Sequence, residues 1–255
     1  MSPIITLTTD FGTRDSYVAA MKAVLLENCP PARLIDITHE IPRHDILNGS
    51  FNLERALAAF PAGTIHLAVV DPGVGADRKI LIAKIHRQTI VCPDNGLITW
   101  AWRRLGGGET FELTWRPPAA SSTFHGRDIL APVAGQLANG RPVSDVALPL
   151  ADPVLLDIAP AAPDALVGRV IYLDAFGNAT TNIPANATRL AGARSIFVNG
   201  RNVGPLRRSY SDVARGEPLA LIGSSDLLEI AAREASAAVQ LHINVGGEVR
   251  LDPAR

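Results

Sequence analysis

Apolar residues fall in short runs, and each run ends in a polar turn. Ile4 to Thr9 reads as a buried strand that stops at Asp10-Phe11-Gly12. From Asp15, the residues Tyr17, Met21, Val24, Leu25 and Asn28 recur at helical spacing, and Pro30-Pro31 stops that helix. Arg33 to Thr38 predicts a second strand leading to His39-Glu40. Asp45 is placed to cap a second helix whose inner face carries Ile46, Ser50, Leu53, Leu57 and Phe60. Ile65 to Val70 predicts a third strand ending at Asp71. Ile80 to Ile85 and Thr89 to Cys92 read as a hairpin or as neighbouring strands closed by Pro93-Asp94-Asn95-Gly96. A short helix is expected over Leu97 to Arg104. Another spans Ile129 to Leu137, with Leu130, Val133, Ala134 and Leu137 on one side.

This β-α-β-α-β order predicts an α/β N-terminal domain with a mostly parallel sheet, over residues 1–140. Prolines then punctuate residues 141–165, which read as an extended linker. Residues 166–255 change texture again. Short apolar pieces separated by turns (Val167 to Leu173, Thr180 to Ile183, Ser195 to Val198, Leu219 to Ile222, Leu227 to Ala231, Ala238 to Val245, Val249 to Leu251) predict a smaller all-β C-terminal domain.

Composition narrows the class. The 255 residues are 47% apolar and 19% charged, so the chain folds rather than staying disordered. A net charge of −1 carries no footprint for nucleic acid or an anionic membrane. The apolar runs are too short to span a bilayer, and the chain starts in a strand-like run without a basic leader. Cys29 and Cys92 make neither a disulfide framework nor a metal cluster, and both read as small buried hydrophobes. A cytoplasmic protein is expected.

The chemistry-bearing residues sit where the runs end. Ligands of open α/β sheets bind beyond the carboxyl ends of the strands. Thr9 to Gly12, His39-Glu40, Asp71 to Arg78 and Pro93 to Gly96 occupy such places. Thr123-Phe124-His125-Gly126-Arg127-Asp128 opens a helix. Asp174 to Asn178 and Gly223-Ser224-Ser225 are the equivalents in the second domain. Polar groups beside glycines in several turns suit a small-molecule site. Each cluster also has a plain structural reading: Asp71 as a turn cap paired with Arg78, His125 as a core or capping histidine, Asp10 as an N-cap, Asn178 as a turn stabiliser. His39, His44, Asp45 and Asp94 are read as structural turn and cap residues. Asp-Phe-Gly lacks the glycine loop and catalytic loop that would make it a kinase triplet.

In order and almost end to end, the chain resembles the SAM hydroxide adenosyltransferases, relatives of the fluorinase and chlorinase. The resemblance is carried by Thr9-Asp10-Phe11-Gly12 with Asp15-Ser16-Tyr17-Val18, Asp36-Ile37-Thr38-His39, and Val70-Asp71-Pro72-Gly73-Val74-Gly75 with Arg78. It continues through Pro93 to Gly96, Phe124 to Asp128, Asp174 to Asn182, and Ser224-Ser225 with Leu228-Glu229-Ile230-Ala231. It implies a barrel-like C-terminal domain and a homotrimer whose substrate, S-adenosylmethionine (SAM), lies between the N-domain of one subunit and the C-domain of its neighbour. It implies Asp71, Arg78 and His125 as the catalytic trio around an attacking water. Asp10, Phe11, Asp174, Phe176, Asn178, Ser224 and Glu229 would bind substrate, with Asp10 on the ribose hydroxyls. No metal and no cofactor are implied.

These residue types suit that chemistry. Displacement at the ribose 5′ carbon expels a neutral thioether, which needs no general acid. An imidazole and a guanidinium can hold a water and favour its anionic form. Three rival readings stay open: a chlorinase-like halogenase of the same fold, a metal-dependent hydrolase drawing on Asp10, Asp15, His39, His44, Asp45, Asp71 and Asp94, and a non-catalytic adenosine- or SAM-binding protein. Against the halogenase, His125 stands where the fluorinase has an aromatic, and no extra loop intervenes between Asp71 and His125. Gly126 alone decides nothing, because the chlorinase also has glycine there. Against the metal reading, no compact ligand spacing occurs.

Overall fold

The structure is a computed structural model that describes residues 2–253. The chain divides into two compact units, Met1–Ile158 and Ala159–Arg255.

In the first unit, β1 (Ile4–Thr9), α1 (Tyr17–Asn28), β2 (Arg33–Thr38), α2 (Ile46–Ala59) and β3 (Ile65–Val69) alternate as the pattern predicts. They are followed by β4 (Ile80–Ile85), β5 (Gln88–Pro93), α3 (Thr99–Arg104), β6 (Gly108–Leu113), α4 (Ala131–Ala138) and β7 (Ala147–Pro149). The sheet order is β2-β1-β3-β5-β4-β6-β7. The sheet is mixed. β2, β1, β3 and β5 run parallel, and the pairings from β5 through β4 and β6 to β7 are antiparallel.

Alternation along β3 explains its unbroken apolar run. Leu67 and Val69 face a core shared with Met21 and Leu25 of α1 and Val133 and Ala134 of α4. Ala68 and Val70 face the opposite core, with Leu53 and Leu57 of α2 and Ala101 of α3. Helices on both faces bury the sheet from both sides, as a parallel arrangement requires. His66 lies between Leu67 and Ile65 with no exposure. Its ring is satisfied by Thr6 Oγ1 at 2.7 Å and by the Gln88 side-chain oxygen at 2.6 Å. The Asp45 carboxylate caps α2 by accepting from the Asn48 N–H at 2.9 Å.

Three features differ from the sequence pattern. Strand β6 was not expected, because its charges mask the alternation. Glu109 pairs outward with Lys84 on β4, and Glu112 with Lys79 just before that strand. The proline-punctuated stretch from 141 onward, expected as a linker, is built into this unit as far as Ile158. β7 adds to the sheet beside β6, and the Val154 N–H donates to the Asp94 carboxylate at 2.8 Å. Pro149 is tolerated because β7 is an edge strand. Residues 238–245, expected as a strand, instead contain a short helix described below.

The second unit comprises β8 (Val167–Leu173), β9 (Ala179–Pro184), β10 (Ala193–Val198), β11 (Arg201–Gly204), β12 (Leu206–Arg207), β13 (Pro218–Ile222), β14 (Leu227–Ala232), α5 (Ala237–Leu241) and β15 (Glu248–Pro253). Its sheet order is β11-β10-β15-β8-β9-β14-β13-β12. The two ends approach each other, β11 against β13 and β10 against β12, so the sheet is nearly a closed barrel. Val170, Ile183, Ile196, Leu228, Ile230, Val249 and Leu251 fill it. α5 replaces the expected strand because Ser236 caps it, its hydroxyl accepting from the Val239 N–H. His242 then ends the helix in the left-handed region at φ 53°. A short apolar run cannot be told as strand or helix by periodicity alone.

Among the described residues, no helix is long and apolar enough to cross a membrane. Cys29 and Cys92 are free and buried.

Candidate functional site

In the first unit the chain leaves β1 for β2 on one side and later crosses to β3 on the other. The strand order therefore reverses between β1 and β3, where α/β sheets bind ligands. A cleft of about 600 Å³ opens there, a size suited to a small organic molecule. Asp10 and Phe11 reach it from the end of β1, and Asp71 from the end of β3. Val74 comes from the following turn, and Ser121, Thr123, Phe124, His125, Gly126 and Arg127 from the segment before α4.

Asp71, Arg78 and His125 are brought together. The guanidinium of Arg78 forks onto Asp71: Nε donates to both carboxylate oxygens at 2.9 Å, and Nη2 donates to Oδ2. The same Nη2 lies 3.1 Å from His125 Nδ1. A guanidinium can only donate, so Nδ1 accepts and the hydrogen of the neutral ring sits on Nε2. Burial, and next the Arg78 charge, hold the His125 pKa below the ordinary histidine value, with Asp71 opposing. The imidazole is thus neutral near pH 7 and has an N–H to offer. Asp71 and Arg78 side chains are only 5% and 12% exposed, which makes their pairing rigid and poorly screened. His125 and Asp71 line the cleft, and Arg78 bridges them without lining it.

Local backbone explains why these groups meet. Gly75 has φ +82°, and a Cβ there would lie 2.6 Å from the Ser122 carbonyl oxygen. Only glycine lets the turn after β3 press against the segment that leads into His125. That segment is also tied down by the Asp128 carboxylate, which accepts from the Ser121 N–H at 2.8 Å and pairs with Arg127. The helix then starts with a wide turn over Gly126–Leu130 before α4, a local distortion of a kind frequent at functional sites.

Asp10 Oδ2 accepts from the His44 N–H at 2.9 Å, and its other oxygen makes no hydrogen bond among the described residues. Phe11, Tyr17 and Phe124 form an aromatic wall with ring centroids 5.2–6.0 Å apart. The Arg127 guanidinium lies over Phe124 at 4.8 Å. Tyr17, Arg43 and His44 were not singled out as cleft residues. Arg43 and His44 follow a strand-end motif, and that position was their only sequence signal.

The remaining candidates lie in the second unit. A second cleft there is lined by Phe176, Asn178, Tyr210, Ala232, Glu234 and Ala235. Asp174 shapes its rim: Oδ1 accepts from the N–H groups of Phe176 and Asn178, and Oδ2 from the Asn178 side-chain amide. That turn holds the Phe176 ring 79% exposed. Glu229 accepts from the Tyr210 hydroxyl at 2.7 Å. Burial and this bond push the Tyr210 pKa up to about 12. Ser224 lies in the turn between β13 and β14 and does not line this cleft. Tyr210 was missed, although Ser209 and Asp212 form a capping box around it, a pattern readable in sequence.

Of the acids and histidines read as structural, Asp45 caps α2 and Asp94 anchors Val154. No three His, Cys, Asp or Glu side chains among the described residues gather as a metal-ligand set.

Comparison with known proteins bears on both units. The family profile for the SAM hydroxide adenosyltransferase N-terminal domain matches residues 5–147, and that for the C-terminal domain matches residues 168–250. The chain is 39% identical to the (R)-S-adenosyl-L-methionine hydrolase of Thermus thermophilus, over 98% of this chain and 100% of that protein. It is 25% identical to a fluorinase of an Actinoplanes species, over 99% and 98%. A crystal structure of an uncharacterized conserved protein from Thermotoga maritima, 34% identical, superposes with a TM-score of 0.89 over 97% of this chain and 99% of that one.

Proposed function

The chain belongs to the SAM hydroxide adenosyltransferase family, and from that premise we propose that it is a hydrolase converting SAM and water to adenosine and L-methionine. The observation that carries this reading is the single guanidinium nitrogen of Arg78 shared between Asp71 and His125 at the switch-point cleft. The 39% identity to a protein named for the (R)-sulfonium compound, against 25% to a fluorinase, favours water over halide and the (R) epimer as substrate.

The geometry supports the following chemistry. Water oxygen bonds to the ribose 5′ carbon as the carbon–sulfur bond breaks. The bonding pair stays on sulfur, the sulfonium becomes the neutral thioether of methionine, and the water proton passes to solvent. His125 presents Nε2–H to the oxygen, and Arg78 keeps Nδ1 occupied so that the hydrogen stays there. A neutral donor beside a fixed cation stabilises hydroxide more than water. Asp71 in turn fixes the plane of the guanidinium, as a carboxylate orients a base in other triads. The aromatic wall sheds water, which strengthens the attraction between hydroxide and sulfonium. Asp10, with one oxygen already anchored, can accept from a ribose hydroxyl.

Asp174, Phe176, Asn178, Ser224 and Glu229 are proposed as further substrate contacts. A homotrimer with a substrate site shared between subunits, a cytoplasmic setting, and turnover without metal or cofactor complete the reading. A neutral thioether leaves without Lewis-acid help, which supports the last point. Sedimentation of the purified protein tests the trimer. The function is tested by incubating purified protein with each SAM epimer, with and without chelator, and with chloride or acetate. Adenosine and methionine from the (R) epimer in every condition are expected. A chlorinated nucleoside formed only with chloride moves the protein to the halogenase branch, and activity lost with chelator restores the metal reading. Bound adenosine without turnover makes it a binding protein.

A further inference from the structure

Asp10 and Phe11 project from a turn with no regular structure of its own, so something must hold that turn. Behind it lies His39, whose side chain is only 4% exposed and does not line the cleft. Its Nδ1 is 2.8 Å from Thr9 Oγ1, and its Nε2 is 3.0 Å from Asp36 Oδ1. Asp36 accepts from Lys22 of α1 at 2.6 Å. Thr9 Oγ1 in turn accepts from the Phe11 N–H at 3.3 Å. The His39 carbonyl accepts from the Gly12 N–H at 2.7 Å. One residue therefore grips the turn at both ends, through its ring at Thr9 and through its backbone at Gly12.

The directions of these bonds are mutually consistent. With its lone pair facing the Phe11 N–H, the Thr9 hydroxyl donates to Nδ1, so the hydrogen of a neutral ring sits on Nε2, which faces Asp36 as a polar contact at 3.0 Å without the alignment of a hydrogen bond. The ladder between β1 and β2 is irregular at this place. The β1–β2 register slips between Leu7 and Thr8, pairing Leu7 with Asp36 and Thr8 with Thr38. Beyond that bulge the pairing ends at Thr8 and Thr38, and the His39 ring adds a further tie at Thr9.

We propose that His39 is a positioning residue for substrate binding: through Thr9 it sets the turn that aims Asp10 and Phe11 into the cleft. This rests on the SAM hydrolase reading only for the identity of the ligand. The chain Lys22–Asp36–His39–Thr9 couples helix α1 and strand β2 to the β1 end of the site.

The test uses two substitutions that each keep one ring nitrogen's place. His39→Asn can still reach Thr9 but not Asp36. His39→Gln can reach Asp36 but not Thr9. The expected result is a KM for SAM about tenfold higher in His39→Gln and in His39→Ala, the size of one lost buried hydrogen bond, with kcat changed less than threefold. His39→Asn should recover most of that loss even if its melting temperature falls as far as that of His39→Gln. Amide exchange supplies an arm independent of substrate: the peptide containing Phe11 and Gly12 should exchange faster in His39→Gln than in His39→Asn. Unchanged KM in His39→Gln, or equal losses in all three variants that track melting temperature, would overturn the proposal. If the wild type makes no adenosine, the SAM reading fails, and the exchange arm alone still decides whether His39 positions the turn.

Discussion

Replacing Arg78 with lysine separates what charge does at this site from what geometry does. Asp71 is almost fully buried, and an alanine would leave that carboxylate unpaired at a cost to folding of about 3–5 kcal/mol. Lysine keeps a cation beside it. An ammonium is a single point, however, and cannot fork onto both Asp71 oxygens while donating to His125 Nδ1, as the guanidinium does at 2.9 and 3.1 Å. The lost element is one charge-assisted hydrogen bond to the ring, about 1.5–3 kcal/mol. If that bond acts on the reacting oxygen through the ring, turnover falls about 10- to 150-fold. Affinity for adenosine, which does not depend on the nucleophile, stays within about threefold. A second readout comes from pH. The bond to Nδ1 favours the neutral ring, so Arg78→Lys raises the His125 pKa toward the ordinary value, and the acidic limb of kcat/KM moves to higher pH. Chromatographic turnover of SAM between pH 5 and 9, with calorimetric binding of adenosine, measures both. Turnover near wild type with an unmoved acidic limb would refute the role given to the shared nitrogen.

Other perturbations probe other parts of the fold. Asp10→Ala should raise KM for SAM at least tenfold with a smaller effect on kcat, and steady-state kinetics would show the split. Gly75→Ala forces a Cβ to 2.6 Å from the Ser122 carbonyl and should lower kcat about tenfold, whereas Gly63→Ala, with a similar φ of +84° and no neighbour within 4 Å, should leave kcat unchanged and cost only about 1 kcal/mol of stability. His66 stays neutral in the native state down to about pH 4, while the unfolded chain protonates it near 6.5. Stability is therefore full above pH 6.5 and is lost as pH falls toward 4, by up to about 3 kcal/mol from this residue. Urea midpoints of wild type and His66→Gln should converge as pH drops across that window.

The strand ends announced the site because each apolar run in the first unit stops at a polar turn, and helical spacing separated the runs clearly. Asp71, Arg78 and His125 were visible as types and positions. Their meeting was not, since it depends on Gly75 allowing two segments to touch and on an arginine that faces two partners. His39 was read as a turn residue because a histidine after a strand says nothing of which nitrogens are engaged. Strand β6 hid behind its own surface ion pairs, and residues 238–245 carried an apolar run too short to tell helix from strand. The prolines from 141 onward suggested a loose connection, yet the backbone there finds its partners in Asp94 and in an open sheet edge.

The sheet's division into a parallel and an antiparallel half also sets an order in time. β4 and β5 are joined by only two residues, His86 and Arg87, both at positive φ, and their pairing is local. Closing a hairpin takes microseconds. The parallel half needs two helical crossovers before β1 can lie beside β3, and loop closure must precede any reward from those contacts. The cleft belongs to the slow half: Arg78 waits beside the early hairpin for a histidine 47 residues further on. During refolding, then, regained enzymatic activity should trail regained strand content.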